Sequence, residues 1–235
     1  MTLATSKNKK YKKLDVHRMT FLAIFASIIL VMSFTPLGYL NLGAIQITFI
    51  MIPVAVGAIM TDPMGGLFLG TMFGISSLMV GFLNGWLLPI IELNPILNTI
   101  LVIIWLIVPR SIMGFLVSVI FRLVSKIDKT KIVSYLVASV SGALLNTLLY
   151  TLFLIGMFGA NSGVLQTLGA DSIVAVIVGV ISFNAVLEAV VSLIVGGGIS
   201  KALAIYLPGG KRRKTKITAE TPDTVIPNEA SEEEV

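Results

Sequence analysis

The chain has 235 residues, 56% of them hydrophobic and only 12% charged, with a mean hydropathy of +0.97. A water-soluble domain carries roughly 25% charged residues, so the deficit excludes an ordinary soluble fold and makes lipid the main solvent. The absence of cysteine removes disulfide frameworks and thiolate metal sites, and the single histidine, His17, cannot form a metal cluster alone. The net charge of +5 would suit nucleic acid only if the basic residues formed a patch. They lie instead in short runs beside apolar segments, the pattern of topology signals, so no nucleic-acid partner is expected.

Residues 1–18 are polar and basic and read as a cytoplasmic N-terminus. The first apolar run, about 19–35, is long and lacks a small-residue cleavage site, so it reads as a membrane span rather than a removable signal. A second run covers about 45–60 and stops at Thr61-Asp62-Pro63, where proline cannot continue a helix. The third spans about 64–82. Residues 83–96, with Asn84-Gly85-Trp86 and two prolines, read as a long, partly apolar loop. Further spans are predicted at about 97–124, 133–158 and 172–206, and 207–235 reads as a disordered cytoplasmic tail, first basic and then acidic. A crossing helix needs roughly 20 apolar residues; the second and third runs are shorter, which predicts tilt or shielding by neighbours. The runs are continuous rather than alternating, which disfavours a strand barrel. The predicted fold is therefore an all-α integral membrane protein, a six-helix bundle over 19–206.

Charge fixes the threading. Of the 17 Lys and Arg residues, six precede residue 19, four lie between Arg122 and Lys131, and six follow from Lys201, leaving Arg110. The segments 36–44, 83–96 and 159–171 have none. Six spans with both termini in the cytoplasm put every basic cluster inside; five or seven spans break that agreement.

Two ionisable residues, Arg110 and Glu188, lie well inside apolar runs, where a charge costs several kcal/mol unless paired or wetted. Asn184 and Glu188 are one turn apart and share a helix face. Asn146 interrupts the fifth span, Asn41 and Gln46 flank the start of the second, and Trp86 and Asn94 lie in the 83–96 loop. Together these are candidate lining for an outward cavity that takes a small polar solute. Each also has a structural reading. Arg110 and Glu188 would neutralise each other, Asn146 and Asn184 would join helices by hydrogen bonds, and Trp86 would anchor at the headgroup level. Gly66, Gly70 and Gly74, spaced by four, predict close packing within the bundle. Ala23 and Ser27, with Ala26 beside them, form a small face for internal packing or for a partner helix. No GxxxxGK[ST] loop occurs, and with one histidine there is neither an HExxH site nor a base for an intramembrane serine hydrolase. A binder or conduit is expected, not an enzyme, with no cofactor and no metal.

The segment from Phe34-Thr35-Pro36-Leu37-Gly38 through Gln46-Ile47-Thr48 to Asp62-Pro63-Met64-Gly65-Gly66 and Phe73-Gly74-Ile75-Ser76-Ser77 resembles the substrate-specific S-components of energy-coupling factor (ECF) vitamin transporters. The resemblance continues at Val108-Pro109-Arg110, at Gly142 to Thr147 and at Asn184 to Ala189, covering about 15–207, and is strongest to the pantothenate-type members; folate-type members share much of the pattern. It implies six helices, capture of a vitamin near the outer face, gating by the loops after the first and third spans, and docking onto a membrane T-component and two ATPases. Two departures stand out. The first-span docking face carries Ala23 and Ser27 where the family has paired alanines, and Asp62 stands where glycine is more usual. If the solute is pantothenate, Arg110 is placed to meet its carboxylate and the asparagines its amide and hydroxyls. The competing readings are an S-component for folate or riboflavin, an autonomous secondary transporter, for which no inverted repeat is evident, and a scaffold or sensor without solute.

Overall fold

A computed structural model describes residues 16–41, 46–128, 132–159 and 185–206. Helix α1 (Val16–Ser33) leads into a small antiparallel hairpin of β1 (Tyr39–Asn41) and β2 (Gln46–Thr48), in which Tyr39 faces Thr48 and Asn41 faces Gln46. Helix α2 (Met51–Met60) returns along the bundle, α3 (Pro63–Leu83) runs back, and a six-residue α4 (Leu88–Leu93) precedes α5 (Pro95–Val124). Helix α6 (Ile132–Phe158) follows. The last described segment is α7 (Ala185–Val191), a π-helical turn (Ser192–Gly196) and α8 (Gly197–Tyr206). The expected tail 207–235, the 159–171 loop beyond residue 159, and the start of the sixth span, Asn184 included, lie outside the described residues, as do residues 1–15.

Four described segments are long and apolar enough to cross a bilayer: Pro63–Leu83, Pro95–Val124, Ile132–Phe158 and Ala185–Leu203; Arg18–Ser33 and Met51–Met60 are shorter apolar helices. The expected second span is corrected in part. Its first residues form β2, and the helix proper has ten residues, so at 1.5 Å per residue it is about 15 Å long. Burial accounts for this, since Met51 to Ile59 are all buried. A helix apolar on every side and covered by its neighbours need not match the bilayer. It packs on α1, α3, α5 and α6, and Ile29, Val54, Ala58, Leu69, Phe73, Met113 and Val117 form the core around it. The 83–96 segment, expected as a loop, contains α4, whose Ile90 joins Leu87, Trp105, Leu106, Leu154 and Phe158 in a second apolar cluster. Large apolar side chains such as Ile28, Val31, Phe68, Leu148 and Leu152 are exposed on the outer faces, where lipid rather than water is the compatible solvent.

The helix ends explain the turns. Asp62 caps α3 by accepting the Gly65 N–H at 3.0 Å, and Pro63 fills the first helical position, where no N–H is needed. The same carboxylate oxygen receives Arg18 of α1 at 2.7 Å, and Arg122, at the end of α5, donates to the Thr61 carbonyl at 3.3 Å. Asp62, the acid that departs from the family pattern, therefore joins α1 to the start of α3, and the neighbouring Thr61 carbonyl brings in α5 at the same end of the bundle. The stripe Gly66, Gly70 and Gly74 faces α5. A methyl group on Gly66 or Gly70 would overlap the carbonyl oxygen of Gly114 or Arg110, and one on Gly74 would sit 2.7 Å from the Ile107 Cα. The stripe packs within the bundle and brings α5 close to α3.

Candidate functional site

At the hairpin end of the bundle the chain forms a partly open cavity of about 730 Å³, within the range of small-molecule sites, roughly 300–1,000 Å³. The hairpin covers it and is tied at two points. Tyr39 OH shares a hydrogen bond with Ser77 Oγ of α3 at 3.0 Å, and the Thr48 N–H donates to Glu188 Oε1 of α7 at 3.0 Å. On another side, Gly85, at φ +73°, turns the chain after α3 in a conformation that suits glycine. The next residue, Trp86, lines the cavity and rests edge-on against the buried Trp105, 6.2 Å between centroids. Trp105 is held in turn by its Nε1 donating to the Tyr150 carbonyl at 3.2 Å.

Arg110 lies in the wall. Pro109 before it has no N–H to give the helix, which loosens that turn. The Arg110 guanidinium donates to the Leu106 carbonyl at 2.8 Å and sits over the rings of Phe73 (4.8 Å) and Tyr150 (5.1 Å), contacts that stabilise a cation away from water. It is 8% exposed, and its Nε has no hydrogen-bond partner. Glu188, 4% exposed, accepts from the Thr48 N–H and from Thr147 Oγ1 at 3.3 Å. Among the described residues the two do not form an ion pair in direct contact, and each takes its hydrogen bonds from other groups. Asn146, also on the wall, has its Oδ1 buried without a donor. It makes no interhelical hydrogen bond among the described residues. Buried polar atoms are nearly always paired, so these orphans mark places where a bound molecule or water completes the site.

The expected residues thus divide. Trp86, Arg110, Asn146 and Glu188 come together around one cavity. Asn41 and Gln46 pair backbone to backbone in the hairpin, and their side chains, like Asn184, lie outside the described set. Asn94 is elsewhere. It is exposed and caps α5, accepting the Leu97 N–H at 3.4 Å, because a polar residue just before Pro95 satisfies an orphan helix donor. Tyr39, Thr48, Ser77, Thr147 and Tyr150 also line the cavity without having been singled out. Tyr150 was detectable, being four residues beyond Asn146 on the same helix face. On the outside of α1, Ala23 and Ser27 are exposed and Ala26 sits at the edge of the core, beside a shallow apolar groove shared with Met19, Leu22 and Phe68. Internal packing therefore does not occupy the Ala23–Ser27 face.

The described chain is thus a helical protein with four helices long and apolar enough to cross a membrane and a cavity with polar and apolar lining at one end. The family model for the ECF transporter, substrate-specific component, matches residues 17–197, and the chain belongs to that family. It is accordingly the substrate-specific subunit of a transporter rather than an enzyme, and the family works in complex with a T-component and ATPases. Curated protein sequences offer no significant match.

Proposed function

We propose that the chain captures pantothenate from outside the cell in the hairpin-covered cavity and delivers it inward together with a membrane T-component and two ATPase subunits. The observation that carries this reading is Arg110, a buried guanidinium on the cavity wall that makes no ion pair among the described residues. A monoanionic solute supplies the missing acceptor, and a bidentate guanidinium–carboxylate contact is among the stronger polar interactions. Asn146, Asn184, Asn41 and Gln46 are proposed to serve the amide and hydroxyls, and Trp86 to pack on the solute.

In this reading six helices thread the membrane over 19–206, with 1–18 and 207–235 in the cytoplasm. Support comes from Arg18 and Arg122, which belong to two of the basic clusters and lie together at the Asp62 end, opposite the hairpin. The Ala23, Ala26 and Ser27 face of α1 is proposed as the docking surface for the T-component. Native mass spectrometry of the purified chain tests the substrate. Co-purified pantothenate is expected; a folate or riboflavin in its place moves the assignment to another vitamin within the same family. Solute transport by the chain alone in liposomes would instead support an autonomous transporter.

A further inference from the structure

We infer that Glu188 is a specificity-determining residue of the cavity. It takes hydroxyl or N–H donors from the end of the ligand remote from its carboxylate, and it excludes molecules that carry a second anionic group there. This rests on the proposed reading of the cavity as the site of a monoanionic vitamin.

The polar groups on the wall divide by what they require. Arg110 can only donate, and among the described residues it gives a single hydrogen bond, to the Leu106 carbonyl. Glu188 receives one protein donor on each oxygen, Thr48 N–H on Oε1 and Thr147 Oγ1 on Oε2. A carboxylate offers about four acceptor positions, so these two bonds do not fill its capacity. The Thr147 hydroxyl directs its O–H at Glu188 and has no second hydrogen to offer a ligand. Asn146 Oδ1 adds a third acceptor atom without a donor. The wall therefore presents a positively charged donor from α5 and a carboxylate acceptor from α7, with the Asn146 oxygen on α6 as a further acceptor.

The two charged groups come from different elements. Arg110 comes from α5 and Glu188 from α7, both helices pack against α6, and no ion pair joins the two side chains. Glu188 is further fixed by its bond to the hairpin backbone, so it cannot swing to Arg110 without releasing Thr48. A molecule that fills the cavity thus has a set direction: its anion at Arg110 and its donors at Glu188 and Asn146. A phosphate ester at the donor end would set two like charges against each other in a buried site.

The test is isothermal titration calorimetry on the purified full-length chain in detergent, with pantothenate, its 4′-phosphate ester and its 4′-deoxy analogue. Juxtaposed like charges are strongly disfavoured at buried contacts, so wild type is expected to bind pantothenate at least about 100-fold more tightly than the ester. Glu188→Gln, which keeps an acceptor for Thr48 but removes the charge, is expected to narrow that ratio by about 10-fold or more, by gaining affinity for the ester. An unchanged ratio in the variant, or equal binding of both ligands by wild type, overturns the inference. Should the variant fail to fold, wild type still decides. Loss of the hydroxyl donor leaves a buried acceptor unpaired and should weaken the deoxy analogue by about 10-fold, and equal affinity for it overturns the inference. Wild type that binds no pantothenate sinks the pantothenate reading and this inference together, whereas normal pantothenate affinity with an unaltered ratio removes the inference alone.

Discussion

The two faces of α5 meet their surroundings in opposite ways. Toward α3 the contact is made by what is missing. Gly66, Gly70 and Gly74 bring backbone against backbone, with Gly114 answering from α5, and the one polar tie nearby, between Thr71 and Ser111, is fully made at 2.8 Å. Toward the cavity the same helix presents Arg110 with an unpaired nitrogen, and α6 opposite presents Asn146 with an unpaired oxygen. Close packing without directional bonds suffices between helices in lipid, so the first face can be dry and rigid. The second face keeps polar capacity unspent, which is costly unless a solute uses it. Rigidity on one side of a helix is what allows a demanding side chain on the other to stay in place.

This contrast can be broken most severely on the dry face. Gly66→Val would drive a side chain into the Gly114 carbonyl, which cannot rotate away as a side chain does. Overpacking ordinary cores costs about 1–3 kcal/mol, and backbone overlap should exceed that. The expected result is loss of monodisperse protein in size-exclusion chromatography, and a normal profile would refute close backbone contact there. On the cavity face, Arg110→Ala should leave the protein folded while removing pantothenate binding. Truncating one partner of a buried charged contact costs about 2–5 kcal/mol, so calorimetry should give a Kd at least ~30-fold higher, and unchanged binding would end the proposed role of Arg110. Tyr39→Phe deletes the bond from the hairpin to Ser77. At about 1 kcal/mol for a typical hydrogen bond, ligand should dissociate several-fold faster in a filter-binding chase, and an identical rate would show that this tie does not hold the cover. The smallest effect is expected at Asn94→Ala. Loss of a cap costs about 1 kcal/mol, seen as a lower melting temperature with pantothenate affinity unaltered; a large affinity loss would return Asn94 to the site.

The long helices were legible in the sequence because lipid imposes their length. The expected 64–82, 97–124 and 133–158 correspond to Pro63–Leu83, Pro95–Val124 and Ile132–Phe158, with proline or a nearby cap marking each of the first two starts. The hairpin was not legible, since strands of three residues are too short to show an alternating pattern. Helix α2 was read with its flank as one run because burial on all sides erases the amphipathic signal that would have marked its beginning. Arg110 and Glu188 stood out because charge is rare in apolar segments. One partner of Glu188, however, is the backbone N–H of Thr48, and a main-chain donor leaves no trace in residue identity. Asn94 shows the converse: an asparagine before a proline in a loop is as good a helix cap as a ligand-binding group, and only its position relative to α5 decides.

The pairing of Trp86 with Trp105 has a practical consequence. These are the only tryptophans in the chain, and they touch each other at the wall, one at the cavity surface and the other wholly enclosed. All indole emission from this protein therefore originates beside the solute compartment. Any occupant that displaces Trp86 or alters its wetting will change the tryptophan fluorescence excited at wavelengths where tyrosine does not absorb, with no distant indole to dilute the signal.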